Sequence, residues 1–172
     1  KQEYQTSRYY FQRMAEVASS AAMRTTALLG VLRCSQKLID NDQIIKSATQ
    51  LLQQENIAAE VRNEALYSRA KAYLTNQQYG QAVVDFTPVA KEVRTAWGAE
   101  AKFQIAYCYF QLGSLDMAEQ EIMSFTQMQT SHQYWLAKGL ILLSDINVER
   151  NELFQAKQYL LALQSNYKLQ DD

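Results

Sequence analysis

The sequence predicts an all-α chain built from repeated helix hairpins. Three observations carry this. Only five glycines and one proline interrupt 172 residues, so helix breakers are scarce. No long run of β-branched residues favours strands. A short pattern also recurs: Gln77-Gln78-Tyr79-Gly80-Gln81-Ala82, Gly113-Ser114-Leu115-Asp116-Met117-Ala118 and Asn151-Glu152-Leu153-Phe154-Gln155-Ala156, with its alanines 36 and 38 residues apart. A period in the mid-thirties is the length of one helix-turn-helix unit in a stacked array.

Each element follows from this period and from the turn residues between units. Tyr4, Ser7, Phe11 and Met14 share one helical face and predict a helix over 3–18, the second half of an earlier hairpin. Leu28 and Leu32 predict a helix over 23–38, stopped by Asp40-Asn41-Asp42, and Ile44 and Leu51 one over 42–55. Leu66, Ala70 and Tyr73 lie on a helix over 58–76, ended by Asn76-Gln77. Tyr79, Ala82, Phe86 and Val89 lie on one over 79–93, where Pro88 removes a backbone donor and predicts a kink or break. Lys102, Ala106 and Tyr109 belong to 96–112, closed by Gly113-Ser114. Leu115, Ala118, Ile122 and Phe125 belong to 115–129. Thr130-Ser131 offers an N-cap for a helix over 132–150, which Asn151 ends. Leu153, Ala156, Leu160 and Leu163 define the last helix, 153–167.

Composition narrows the function. With 48% hydrophobic and 20% charged residues, the chain is globular rather than disordered, and its length suits one domain with its own core. A net charge of −1 lacks the basic excess of nucleic-acid binders. The apolar run at 139–143 is far too short to span a bilayer. The chain begins at Lys1 and carries no signal peptide, and we read it as a segment excised from a longer protein.

Counted from Asn63, Ala99 and Ala137, the units place Leu66, Lys102 and Leu140 at position four. Small Ala70, Ala106 and Ser144 stand at eight, and Tyr73, Tyr109 and Asn147 at eleven. Ala stands at twenty, Phe86, Ile122 and Leu160 at twenty-four, and Val89, Phe125 and Leu163 at twenty-seven. Small residues admit close helix approach and large ones fill the space around it. This pattern resembles the tetratricopeptide repeat. A weaker unit begins at Thr25, with Leu28 at four, Leu32 at eight, Asn41 at seventeen and Ile44 at twenty. The resemblance implies a right-handed superhelical solenoid of antiparallel hairpins. It would be a single domain, 1–172, with a half unit at 1–24 and units at 25–62, 63–98, 99–136 and 137–172. The departures are the longer period, the missing proline at the unit end, and Arg69 where an apolar residue is usual.

The resemblance further implies a non-catalytic scaffold that binds a protein or peptide partner in a groove lined by the first helix of each unit, with no cofactor. Carried over position by position, the groove holds Glu64, Tyr67, Lys71 and Leu74; Glu100, Phe103, Tyr107 and Phe110; and Lys138, Ile141, Asp145 and Val148. Leu29, Arg33 and Gln36 come from the weak unit. Phe103, Tyr107 and Phe110 recur at i, i+4 and i+7 and so form one stripe, which either lines an interaction surface or packs inside the stack. The wording of units such as 101–113 is similar to bacterial envelope members, including Tol-Pal-associated periplasmic proteins and outer-membrane assembly lipoproteins. That likeness implies a periplasmic scaffold, with a cytoplasmic adaptor as the alternative.

Catalytic readings find little footing. His132 is the single histidine and has no acidic or thiol cluster at ligand spacing, which leaves it a structural or exposed polar role. Cys34 and Cys108 share position ten of their units and read as separate core thiols. Trp97 and Trp135 share a place at the start of their units, which suits inter-repeat packing. Gly30 marks a close helix approach and lacks a phosphate-cradling glycine pattern. Glu119 and Glu121 lie on polar faces. No metal, cofactor or nucleophile set emerges. An alternative to peptide capture is a structural or oligomerisation segment. Its apolar last helix, with Tyr159, Leu160, Leu163 and Tyr167, would stack on the rest of the parent protein or on a second copy.

Overall fold

The computed structural model describes residues 1–167, and all of its regular structure there is helical. In chain order the elements are α1 (Gln2–Val17), α2 (Ala21–Leu38), α3 (Asn41–Leu52), α4 (Ala59–Thr75), α5 (Tyr79–Val89), α6 (Ala96–Gln111), α7 (Leu115–Gln127), α8 (Gln133–Glu149) and α9 (Leu153–Asn166). These match the expected helices to within a few residues. The largest difference is α5, expected to reach 93, which ends one residue after Pro88. The chain divides into two compact units, Lys1–Asp85 and Phe86–Asp172.

In the first unit α1 packs on α2, α2 on α3, and α3 on α4. The connections are too short for anything but antiparallel neighbours. Leu28, Leu32, Ile44, Ala48, Leu51, Ala65 and Ala72 form its core. Gly30 belongs to the α1–α2 contact: a Cβ built there would stand 2.6 Å from the Phe11 ring, so the ring rests on bare backbone. In the second unit α6 packs on α7, α7 on α8 and α8 on α9, while α6 also lies against α8. Ala106, Ala118, Ile122, Leu142, Leu143 and Ile146 are central there.

The repeat register is visible in burial. Position eight is buried in every unit, as Leu32, Ala70, Ala106 and Ser144. Position twenty is buried as Ile44, Ala82, Ala118 and Ala156, and position ten as Cys34, Ala72, Cys108 and Ile146. Position twenty-four is buried as Ala48, Phe86 and Ile122, whereas Leu160 is 46% exposed.

One backbone device ends α2, α4, α6 and α8. A residue in the left-handed region follows each: Ile39, Gln77, Gly113 and Asn151, with φ of 58°, 58°, 72° and 61°. The next N–H bonds back to a carbonyl five residues earlier: Asp40 to Ser35, Gln78 to Tyr73, Ser114 to Tyr109 and Glu152 to Asn147, at 3.0, 2.8, 2.9 and 2.7 Å. This is the Schellman closure, which satisfies carbonyls that a helix end otherwise leaves orphaned. Asp40 also caps α3 by accepting from the Gln43 N–H at 3.1 Å.

The start of α8 differs from expectation. Its N-cap position is His132, whose side chain makes no capping bond. The Thr130 hydroxyl is engaged elsewhere, donating to the Val93 carbonyl at 2.7 Å and accepting from the His132 N–H at 3.2 Å. No helix among the described residues is long and apolar enough to cross a membrane.

Candidate functional site

In the second unit, α6 carries Phe103, Tyr107 and Phe110 on one face. All three are half-buried, with their inner edges against the cluster around Ala106, Leu142 and Ile146. The outcome lies between open groove and sealed core. Helix spacing aligns the rings, and the small Ala106 lets α8 approach beneath them. Phe103 and Tyr107 stack with ring centroids 6.4 Å apart. Phe103 also meets Trp135 at 5.5 Å, and Trp135 meets Tyr134 edge-on at 4.9 Å. The row therefore runs Tyr107, Phe103, Trp135, Tyr134, and Lys138 Nζ stands 5.6 Å from the Tyr134 ring. These separations are those of favourable aromatic pairs.

On α8, Ile141 and Val148 are 41% and 51% exposed, and Asp145 is exposed between them. Partial desolvation raises the Asp145 carboxyl pKa from its ordinary value. The α6 and α8 stripes thus combine half-buried aromatics, exposed aliphatics, the Lys138 ammonium and the carboxylates of Glu100 and Asp145. Trp135 was expected to serve inter-repeat packing, and it does pack against the Val93, Ala99 and Phe125 cluster. Its place in the ring row, together with Tyr134, escaped the sequence reading. The signal was present, since adjacent aromatics in the first turn of α8 present two different faces.

In the first unit, Tyr67, Lys71 and Leu74 lie half-buried along α4, with Lys71 Nζ 6.0 Å from the Tyr67 ring. The α2–α4 face is laced with polar rungs. Arg33 donates from Nε and Nη2 to the two oxygens of Glu64, each at 2.7 Å. Gln36 Nε2 donates to Ser68 Oγ at 2.6 Å, and at the end of this face Nδ2 of Asn41, the first residue of α3, donates to Oδ1 of Asn76, just past α4, at 3.0 Å. Arg33, Gln36 and Glu64, all expected in a groove, hold one another or a neighbour across two helices. Polar residues 31 to 35 apart, slightly less than one repeat, were the readable signal.

Arg69, out of pattern in the sequence, donates to Asp85 from Nε and Nη2 at 2.6 and 2.8 Å. Its Nη1 donates to Thr49 Oγ1 at 2.9 Å. The bond from Asp85 raises the guanidinium pKa further, against the lowering by burial.

The remaining chemistry-bearing residues are dispersed. Cys34 and Cys108 are free and buried. Burial pushes the Cys108 thiol up to about 12. It also raises Cys34, where Arg8 pulls weakly the other way. His132 Nε2 lies 3.1 Å from the Arg94 carbonyl oxygen. Among the described residues, no three His, Cys, Asp or Glu side chains gather as a metal site.

Compared with protein-family models and with curated proteins, the chain matches none.

Proposed function

We propose that this chain is a non-catalytic scaffold of tetratricopeptide-like hairpins that captures a protein or peptide on the aromatic face of α6 and α8. The observation that carries the reading is the row Tyr107–Phe103–Trp135–Tyr134, half open and bordered by the exposed Ile141 and Val148. Rigid aromatics beside exposed aliphatic residues supply contact area at low entropic cost. The matching face of α2 and α4 is tied up by its own polar rungs, which makes α6 and α8 the preferred side. The shared helix closures, and the packing of α2 on α4 and of α6 on α8, support tetratricopeptide-like stacking.

The test is a photo-crosslinking amino acid placed at Ile141, with Lys157 on α9 as a control position. A partner trapped from Ile141 and not from Lys157, and lost in Tyr107→Ala and Val148→Glu, supports the reading. A partner captured equally by those variants overturns it.

A second reading rests on α9. Leu153, Phe154, Leu160 and Leu161 are 60%, 76%, 46% and 43% exposed, and Leu160 occupies a position buried elsewhere in the repeat. On this reading the helix is an assembly face. Sedimentation then shows self-association that Phe154→Glu and Leu160→Glu abolish. Monomeric behaviour at high concentration excludes a second copy as the occupant.

A further inference from the structure

In the first unit, α1, α2 and α3 enclose a cleft of about 330 Å³, the lower end of ligand-sized cavities. Leu28 and Val31 form its apolar floor and are themselves buried. Gln12 of α1 and Gln43 and Gln50 of α3 line its sides. Arg24 of α2 and Lys46 of α3 complete it. Arg24, Leu28 and Val31 recur at i, i+4 and i+7, as do Gln43, Lys46 and Gln50 at i, i+3 and i+7, so each helix turns one face to the cleft.

What sets Arg24 and Lys46 apart from other cations of the unit that hold no carboxylate, such as Lys37 and Arg62, is that they line one cleft. Arg8, Arg13, Arg33 and Arg69 each hold a carboxylate. Arg24 and Lys46 hold none among the described residues. Glu16, the carboxylate on the lining, is engaged by Arg13 at 2.6 Å. The open concavity at the start of α9 is different, with Glu119 and Glu152 on its lining.

We infer that this cleft binds an acidic peptide segment. An Asp or Glu carboxylate seats between the guanidinium of Arg24 and the ammonium of Lys46, both acting as donors. The three glutamine amides offer donors and acceptors to main-chain groups, and the Leu28–Val31 floor takes the aliphatic stem. A bare phosphate uses the two cations but neither the amides nor the floor. The inference is independent of the aromatic face, since it concerns other helices in the other unit.

The test titrates the whole chain by calorimetry with a blocked hexapeptide alternating glutamate and alanine. The glutamine counterpart, glutarate and inorganic phosphate run in parallel. The glutamate peptide is expected to bind, and to bind more weakly as salt rises. Arg24→Gln and Lys46→Gln each weaken it about tenfold, the loss of one charge-assisted bond. Arg62→Gln, an exposed cation off the cleft, leaves it unchanged. All three side chains are exposed, and circular dichroism checks that each variant folds. The inference is overturned by no binding of the glutamate peptide at millimolar concentration, by equal binding of the glutamine peptide, or by affinity unmoved in both cleft variants. Phosphate or glutarate binding as tightly as the peptide also overturns it, in favour of a simple anion site.

Discussion

Arg69 and Asp85 form a two-bond fork across α4 and α5, at 2.6 and 2.8 Å, with Asp85 only 3% exposed. A carboxylate this deep persists because the guanidinium satisfies both of its oxygens. Asp85→Ala strands the Arg69 charge and is expected to cost about 3–5 kcal/mol. Replacing both residues with apolar ones of similar volume costs far less. Urea unfolding of the two single variants and the double variant measures the coupling directly.

Acid sensitivity should centre on Asp40. The bond from Arg8, at 2.6 Å, lowers its carboxyl pKa, burial opposes this, and the Gln43 N–H adds to the lowering. Because the folded value lies below the unfolded one, the stabilisation is complete above the ordinary carboxylate range. It is lost as pH falls through the folded value. Asp40→Asn retains a capping acceptor and loses the ion pair. Its deficit at pH 7 should be less than about 1 kcal/mol, given the solvent exposure of the pair. The deficit should fade at acid pH, as the denaturation midpoint measured from pH 7 down to pH 2.5 reports.

The helix closures give opposite predictions at two equivalent positions. Ile39 is β-branched, sits at φ 58° and is 82% exposed. The left-handed region costs such a residue roughly 1–2 kcal/mol, and little packing is lost with the side chain. Ile39→Gly is therefore expected to stabilise by about 0.5–1 kcal/mol. Gly113→Ala, at φ 72°, is expected to destabilise by about 1 kcal/mol. Thermal melts of both variants decide the signs.

Cys108 should resist alkylation. The thiolate is the reactive form, and with the thiol pushed up to about 12 almost none exists at pH 8. Iodoacetamide should label neither cysteine in the native protein and both in urea. Rapid native labelling of Cys108 would show that the α6 core opens.

Much of the fold was legible because the period carries its own punctuation. Small residues at positions eight and twenty fixed which faces meet, and Asn76, Gly113 and Asn151 fixed where helices stop. What escaped depended on long-range partners. The role of Arg69 required Asp85, sixteen residues away. Thr130 does not cap α8 because the helix begins at Gln133, which puts His132 at the N-cap, and the Thr130 hydroxyl instead ties the preceding turn to the Val93 carbonyl. The Arg33–Glu64 and Gln36–Ser68 rungs are invisible without knowing that α2 lies on α4. Of the candidate site, the Phe103–Tyr107–Phe110 stripe follows from helix periodicity alone. Its extension through Trp135 and Tyr134 depends on the packing of a second helix.

The four helix closures are made entirely of main-chain atoms, and the seats they need are filled by an isoleucine, a glutamine, a glycine and an asparagine. The side chain at these corners therefore sets a cost of about 1 kcal/mol, while the bonds that close each helix stay the same. The unit beginning at Thr25 departs furthest from the sequence pattern yet turns its corner with the same pair of bonds. Mutation can erode the written repeat well before it disturbs the physical one.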